Sequence, residues 1–518
     1  MIDLSRRRVL QTAAAAGTLP ALPRIAAATT PPAKRLVADY RILDVKGKAA
    51  KMFRLTGPDG KAGIFLAPNE RFRVDLVNRT TTSTIIHWHG QLPPWTQDGF
   101  PWPQTPPIAA GATHAYDYAP ISGTFWMHSH QGMQEQSLMT APLIVHSATE
   151  LREDRQEIVL MLHDFSFRAP DELLAGLTGQ TTASIHAMVR QAENVAAPES
   201  SGNMLGRSRD MRGMKMESGS SMGGMMMKPG DNAGGTAMGG MGGMPMDLND
   251  IDYDAYLANE RTLADPEIVR VQPRGRVMLR IINGSSSSQF WIDLGVLTGK
   301  IVAVDGHAVR PVPGRRFPIA IAQRLDILID LPDSGAFPVL ARLEGSRRRT
   351  GVVLATKGAR IVRIDEKGLD QAQPVDNSLE TQLSAMRPLV SRKADLMHRI
   401  VLSGGMKPYV WGLNDQYWPH IEPLMLTKGQ RVEIEIVNRS MMPHPMHLHG
   451  HAFQVVALDG KPIAGAVRDT VLVPGRMGSS VRIAFDADNP GRWAFHCHNL
   501  YHMMAGMMTE FRYQSIAV

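Results

Sequence analysis

One pattern is written three times along this chain, and any fold must accommodate all three copies. An alternating strand ending in Asn recurs as Arg71-Phe-Arg-Val-Asp-Leu-Val-Asn78, Arg276-Val-Met-Leu-Arg-Ile-Ile-Asn283 and Arg431-Val-Glu-Ile-Glu-Ile-Val-Asn438. Period-2 alternation predicts one face in a core and the other in water. A second mark is a glycine with an aromatic two residues on: Gly123 and Phe125, Gly335 and Phe337, Gly491 and Trp493. Histidines hang on these marks in the outer copies. His87 and His89 follow Asn78 at the offsets at which His447 and His449 follow Asn438, and His128 and His130 follow Gly123 as His496 and His498 follow Gly491. The middle copy has Ile292, Leu294, Leu340 and Arg342 at those offsets. Repetition on this scale means related units. We expect an all-β chain of three consecutive β-sandwich domains, at 36–150, 151–365 and 395–518.

A chain of 518 residues is too long for one core, and its 47 Gly and 35 Pro suit short strands and turns. Methionine is the anomaly: 12 of 32 fall between Met204 and Met246, in a Gly- and Ser-rich stretch with no apolar period. That insertion cannot bury a core. Thioethers are soft ligands that select Cu(I), and copper contact is the expectation for it. Pro170–Ala197 is the best helical candidate.

Ser5-Arg6-Arg7-Arg8-Val9-Leu10, an Ala-rich run and Ala26-Ala27-Ala28 resemble a twin-arginine signal peptide over 1–28. This implies the twin-arginine export machinery as a partner and a periplasmic location. Of the net charge of +7, residues 1–28 supply +3 (Arg6, Arg7, Arg8 and Arg24 against Asp3), leaving +4. With no clustered basic and aromatic stripe, nucleic acid is excluded as a partner. No apolar run of the length a membrane span needs occurs elsewhere, so an integral membrane protein is not expected. The single cysteine rules out an intramolecular disulfide.

That cysteine, Cys497, lies in Gly491-Arg-Trp-Ala-Phe-His-Cys-His-Asn-Leu-Tyr-His-Met-Met-Ala-Gly-Met507. Thiolate, imidazole and thioether within one short run suit a blue-copper site, with two His and one Cys in a plane and a weak axial Met. In a strand, neighbouring side chains point to opposite faces, so Cys497 would face one metal while His496 and His498 face another. Four His-x-His pairs (His87/His89, His128/His130, His447/His449 and His496/His498) offer eight imidazoles, enough for a three-metal cluster, and leave His444, Cys497, His502 and Met507 for a separate ion. His114, His146, His163, His186, His307, His398, His420 and His451 lack partners at such spacing and read as ordinary core or surface residues.

These four motifs, in this order, resemble those of multicopper oxidases, across essentially the whole chain after residue 28. The resemblance implies cupredoxin-like domains and four coppers per chain: a type 2 ion on His87 and His447, a type 3 pair on His89, His128, His130, His449, His496 and His498, and a type 1 ion on His444, Cys497, His502 and axial Met507. It further implies one-electron oxidation of a donor at type 1, transfer through Cys497, and four-electron reduction of O2 to water. Asp98, in Gln97-Asp98-Gly99, matches an acid that the family places near type 2 and is expected to deliver protons. An acidic residue usual after the last type 1 histidine is missing here (Met503, Met504), which leaves a second proton donor unassigned.

Within the family, the copper-resistance protein A group is the nearest match. Its marks are the leader, Met441-Met442 before His444-Pro-Met-His-Leu-His-Gly450, and the ending Leu500-Tyr-His-Met-Met-Ala-Gly-Met507. Met441, Met442, Met503 and Met504 are candidate Cu(I) contacts, with Met508 close by, so the expected donor is Cu(I). The alternatives are a laccase-like oxidase of phenols or aromatic amines, and a periplasmic copper store built on the insertion.

Overall fold

The computed structural model describes residues 32–187 and 248–516. The leader at 1–28 and the Met-rich stretch at 204–246 lie outside the described residues.

Six sheets fall into three pairs in chain order. Two four-stranded sheets span Lys34–Val145, a six- and a five-stranded sheet span Gln156–Ala355, and a seven- and a five-stranded sheet span Leu396–Tyr513. The chain is therefore all-β in architecture, three cupredoxin-like sandwiches in a row. The first pair closes on a core of its own that includes Leu36, Phe72, Trp88, Phe125 and Leu143. Middle and third pairs share one continuous apolar cluster, from Ile158 to Tyr513, which Met133 joins.

The repeated strand takes the same seat in each sandwich. Phe72–Asn78 lies between a parallel partner, Lys34–Val45, and an antiparallel one, Thr113–Tyr118. Arg276–Asn283 lies likewise between Gln156–Phe165 and Arg324–Asp330, and Arg431–Asn438 between Leu396–Met406 and Ser480–Asp486. The terminal Asn recurs because its amide ties down the loop that follows. Asn78 Nδ2 donates to the Thr82 and Ile108 carbonyls while its Oδ1 accepts from Thr80. Asn438 does the same with the Met442 and Pro474 carbonyls and Ser440. A buried amide satisfied on both ends in this way fixes where the next, histidine-bearing strand begins.

One expectation is corrected. The strands ending at Asn78 and Asn438 alternate between buried and half-exposed residues, but Arg276–Asn283 is buried at every position after the first. Its Arg280 is not on a wet face: it is fully buried, paired with Glu150, Glu157 and Asp326 and donating to Thr124 of the first sandwich. The middle strand is covered on both sides because the first sandwich docks on it. Cross-strand register also differs. His87 faces His128 and His447 faces His496, whereas Ile292 faces Ala341 and not Leu340.

Helix is sparse. Pro170–Thr178 ends at Gly179, which takes the left-handed conformation usual just past a helix. Residues 182–187 are again helical. Among the described residues, no helix is long and apolar enough to cross a membrane.

Candidate metal centre

Strand Arg492–Cys497 sets both halves of the site. It pairs antiparallel with His444–Leu448, where Met446 faces Cys497 and His447 faces His496. Alternation sends Cys497 to one side and His496 to the other. On the Cys497 side, His444 comes from the paired strand and His502 from the short helix Leu500–Met504. Asn499 caps that helix by accepting from the backbone of Tyr501 and His502. Cys497 Sγ lies 3.7 Å from Nδ1 of His444 and 3.7 Å from Nδ1 of His502, and the two Nδ1 atoms are 3.1 Å apart. Met507 is buried beside them, its backbone bonded to both His502 and Cys497. The other nitrogens are held from outside. Ser440 Oγ is 2.8 Å from His444 Nε2, and Asp250 Oδ2 is 3.2 Å from His502 Nε2.

On the other side all eight paired histidines converge, four from the first sandwich and four from the third. They resolve into overlapping groups whose ligand atoms lie within 4.8 Å of one another, among them His87 with His89 and His447, His89 with His128 and His498, and His130 with His449 and His496. Closest approaches are His449 Nε2 to His496 Nε2 at 3.1 Å, His498 Nε2 to His128 Nε2 at 3.3 Å, and His447 Nε2 to His87 Nε2 at 3.4 Å. His89 is the exception. Its Nε2 is 3.0 Å from Asp469 Oδ1, and its buried, unpartnered Nδ1 is the atom left to face the cluster.

Proton bookkeeping tests whether these groups fit a metal. His449 Nδ1 donates to Asp98 Oδ2 at 2.7 Å, and His496 Nδ1 to the Cys497 carbonyl at 3.0 Å. Carboxylate and carbonyl oxygens only accept, so both Nε2 atoms carry lone pairs. His87 and His447 repeat this, with Nδ1 on the Asp98 and Asp469 carbonyls at 2.9 and 2.8 Å. Lone pairs facing each other at 3.1 and 3.4 Å repel unless a cation lies between them. The donor set fits a metal.

Electrostatics agree. Burial first, then neighbouring imidazoles, holds His128, His130, His447, His449 and His498 well below the ordinary histidine range; for His89 the Arg324 charge adds to these. Burial brings His496 down to about 4. His444 is lowered by burial and by His502. Neutral imidazole is the ligating form. Burial pushes the Cys497 thiol up, so a metal must displace its proton to bind.

Asp98 is fully buried and reaches both histidine-bearing sandwiches: its Oδ1 is 3.3 Å from His87 and its Oδ2 bonds His449. Gly99 enables this. Its φ is +83°, and any Cβ there would strike the Ile86 carbonyl. The turn and the site are one feature. Three acids beyond the sequence reading join it. Glu135, buried, sets Oε2 at 2.7 Å from His128 Nδ1 and Oε1 at 3.9 Å from His498 Nδ1. Asp469 holds His89, and Asp250 faces His502. Glu135 stands five residues after His130, a signal of a kind; the other two carry none.

Of the candidate methionines, Met441 is half-exposed and Met503 and Met504 partly exposed, while Met442 packs in the core and Met508 is buried against Phe100 and Trp102. Histidines outside the motifs serve elsewhere: His146 pairs with Glu157, His163 bonds Thr140 and His451 bonds Tyr513.

Comparison with known proteins adds the family. Models described as multicopper oxidase match residues 59–150, 227–363 and 392–516. The chain is 30% identical over 447 residues to multicopper oxidase MmcO of Mycobacterium tuberculosis, covering 85% of this chain and 79% of that one. It is 26% identical over 552 residues to copper resistance protein A of Escherichia coli, covering 84% and 85%. Among solved structures, Fet3p, a multicopper oxidase that functions in iron import, superposes with a TM-score of 0.70 at 18% identity over 93% of this chain and 90% of that one. Repeat, cluster and comparisons agree, and the chain belongs to the multicopper oxidases, copper-dependent oxidoreductases that use O2 as acceptor.

Proposed function

We propose that this protein is a periplasmic oxidase of Cu(I) that reduces O2 to water and serves copper tolerance, with four coppers per chain. His444, Cys497, His502 and Met507 would hold the type 1 ion. His87 and His447 would hold type 2; His89, His128 and His498, and His130, His449 and His496, would hold the two type 3 ions. Bound copper supplies one-electron transfer and the reduction of O2. The protein does the rest. Cys497 joins the two centres through a single peptide bond to each of His496 and His498, a short covalent route for electrons. Asp98, between His87 and His449, would hand on protons. Twin-arginine export remains the route that the leader suggests.

One observation carries the choice of Cu(I). The outer nitrogen of His502 faces Asp250, only four residues after Met246 at the end of the Met-rich stretch, and Met503 and Met504 sit in the helix of His502 itself. Carboxylate and thioethers beside the electron-entry histidine suit a cuprous ion. The name of the relative copper resistance protein A points the same way. Asp250 also favours a second reading, because a carboxylate there would take the proton of a phenol. Oxygen uptake by the copper-loaded protein, offered Cu(I) in a weak complex or a phenol, with and without residues 204–246, separates them. Fast uptake on Cu(I) that falls with the deletion is expected. Phenol turnover that survives deletion, with slow Cu(I) turnover, sinks the Cu(I) reading. Copper bound far beyond four per chain with slow turnover of both would indicate a store.

A further inference from the structure

The middle sandwich contributes none of the eight cluster histidines, yet it pushes a charged side chain to the edge of the cluster. Arg324, on strand Arg324–Asp330, is fully buried. A buried guanidinium is costly unless its donors are paired in good geometry. Here Nη1 donates to Asp469 Oδ1 at 2.8 Å and to the Ala322 carbonyl at 3.0 Å, Nη2 pairs with Asp469 Oδ2, and Nε donates to the Thr124 carbonyl at 3.3 Å. One residue therefore touches all three sandwiches.

The two-pronged contact fixes the plane of the Asp469 carboxylate, which a point charge would not do. Asp469 Oδ1 then accepts from His89 Nε2 at 3.0 Å and from Thr470 Oγ1 at 2.8 Å. With its proton held on Nε2, His89 must present Nδ1, the reverse of its seven companions. The backbone carbonyl of Asp469 also accepts from His447 Nδ1, and the His89 and His447 rings stack 3.7 Å apart. Positioning Asp469 thus positions two imidazoles on different ions.

The clamp is braced from behind. Asp305 Oδ1 accepts from Arg324 N at 2.8 Å, Asp305 Oδ2 accepts from Arg468 Nε at 2.9 Å, and Arg468 Nη1 donates to Glu380 at 2.5 Å. Charges alternate along this buried file: Glu380, Arg468, Asp305, Arg324, Asp469. It is closed from the front by Gly90, next to His89. A side chain at Gly90 would put its Cβ 2.5 Å from Asp469 Oδ2 and 2.6 Å from Arg324 Nη2.

We propose that Arg324 is a positioning residue of the histidine cluster, setting the ring orientation and proton position of His89, and the seat of His447, through Asp469. This rests on the reading of His89 and His447 as copper ligands. The test uses full-length, copper-loaded protein carrying Arg324→Lys, Arg324→Met or Asp469→Asn. Copper content, affinity, the blue band of the Cys497 centre and the electron spin resonance of the uncoupled copper are read, beside melting of the metal-free protein. Arg324→Lys keeps the charge and loses the fork. It is expected to leave the blue band unchanged, weaken cluster copper by about 10- to 100-fold and alter the uncoupled copper's hyperfine pattern. Combining it with Asp469→Asn should add little, since both act through one carboxylate. Cluster copper of wild-type affinity and spectrum in Arg324→Lys overturns the proposal, as does a shift in melting alone. If neither Arg324 variant folds, Asp469→Asn decides: an unchanged cluster spectrum overturns it. If instead His89→Ala and His447→Ala leave cluster copper intact, the ligand reading itself has failed.

Discussion

The ligand candidates of the Cys497 centre all lie between His444 and Met507, within one sandwich, whereas the histidine cluster draws four rings from His87–His130 and four from His447–His498. The outer atoms differ as well. The Cys497 centre is propped by one hydroxyl and one carboxylate, Ser440 and Asp250. The cluster leans on three buried carboxylates, Asp98, Glu135 and Asp469, and on main-chain carbonyls. Eight facing imidazoles need more oxygen partners, and more control of tautomer, than the two of the Cys497 centre. The first centre is local chemistry; the second is a property of docking.

The contrast breaks most sharply at Cys497. Cys497→Ser should erase the blue band and drop substrate oxidation to background, while cluster copper stays. Loss of all copper would show that the two centres are not separable. Next in size is acid. Burial holds His89, His128, His130, His444, His447, His449, His496 and His498 below their unfolded value of about 6.5, so the unfolded chain takes up protons first as pH falls. Stability of the metal-free fold is full above that value and is lost below it, by about 1.4 kcal/mol per pH unit for each such histidine. Melting of the metal-free protein from about pH 7 down to pH 5 reads this, and a flat profile would mean that the cluster takes up protons in place. Asp98→Asn is expected to slow O2 reduction by about 10²–10⁴-fold while stopped-flow reduction of the blue band stays fast. Equal slowing of both would place Asp98 in the wrong centre. Glu135→Gln should cost cluster copper about 10- to 100-fold in affinity, measured by competition with a chelator, with the Cys497 centre spared. Smallest is Ser440→Ala, about 1 kcal/mol on the His444 side, seen as a small shift in copper affinity of the blue centre alone.

The paired ligand candidates were legible because the outer sandwiches write histidine pairs at spacing two and repeat them at the same offsets. His87, His128, His447 and His496 were findable from Asn78, Gly123, Asn438 and Gly491 alone. The supporting acids were not. Asp469 meets His89 across 380 residues, and Asp250 lies in another sandwich from His502; neither has a local pattern to betray it. Met441 and Met442 read alike in sequence, but Ser440 and Asn438 fasten the loop so that one is half-exposed and the other buried. The middle strand's Arg280 looked wet because its partners come from the first sandwich and from neighbouring strands.

The 360 residues between His87 and His447 also set a timetable. A ribosome finishes the first four histidines long before it begins the last four, and domains fold in the order in which they emerge. Until the C-terminal strand is in place, the early half stands as two open His-x-His pairs, a fair trap for whatever divalent ion is abundant. Correct filling is therefore a matter of when the metal arrives as much as of what binds it.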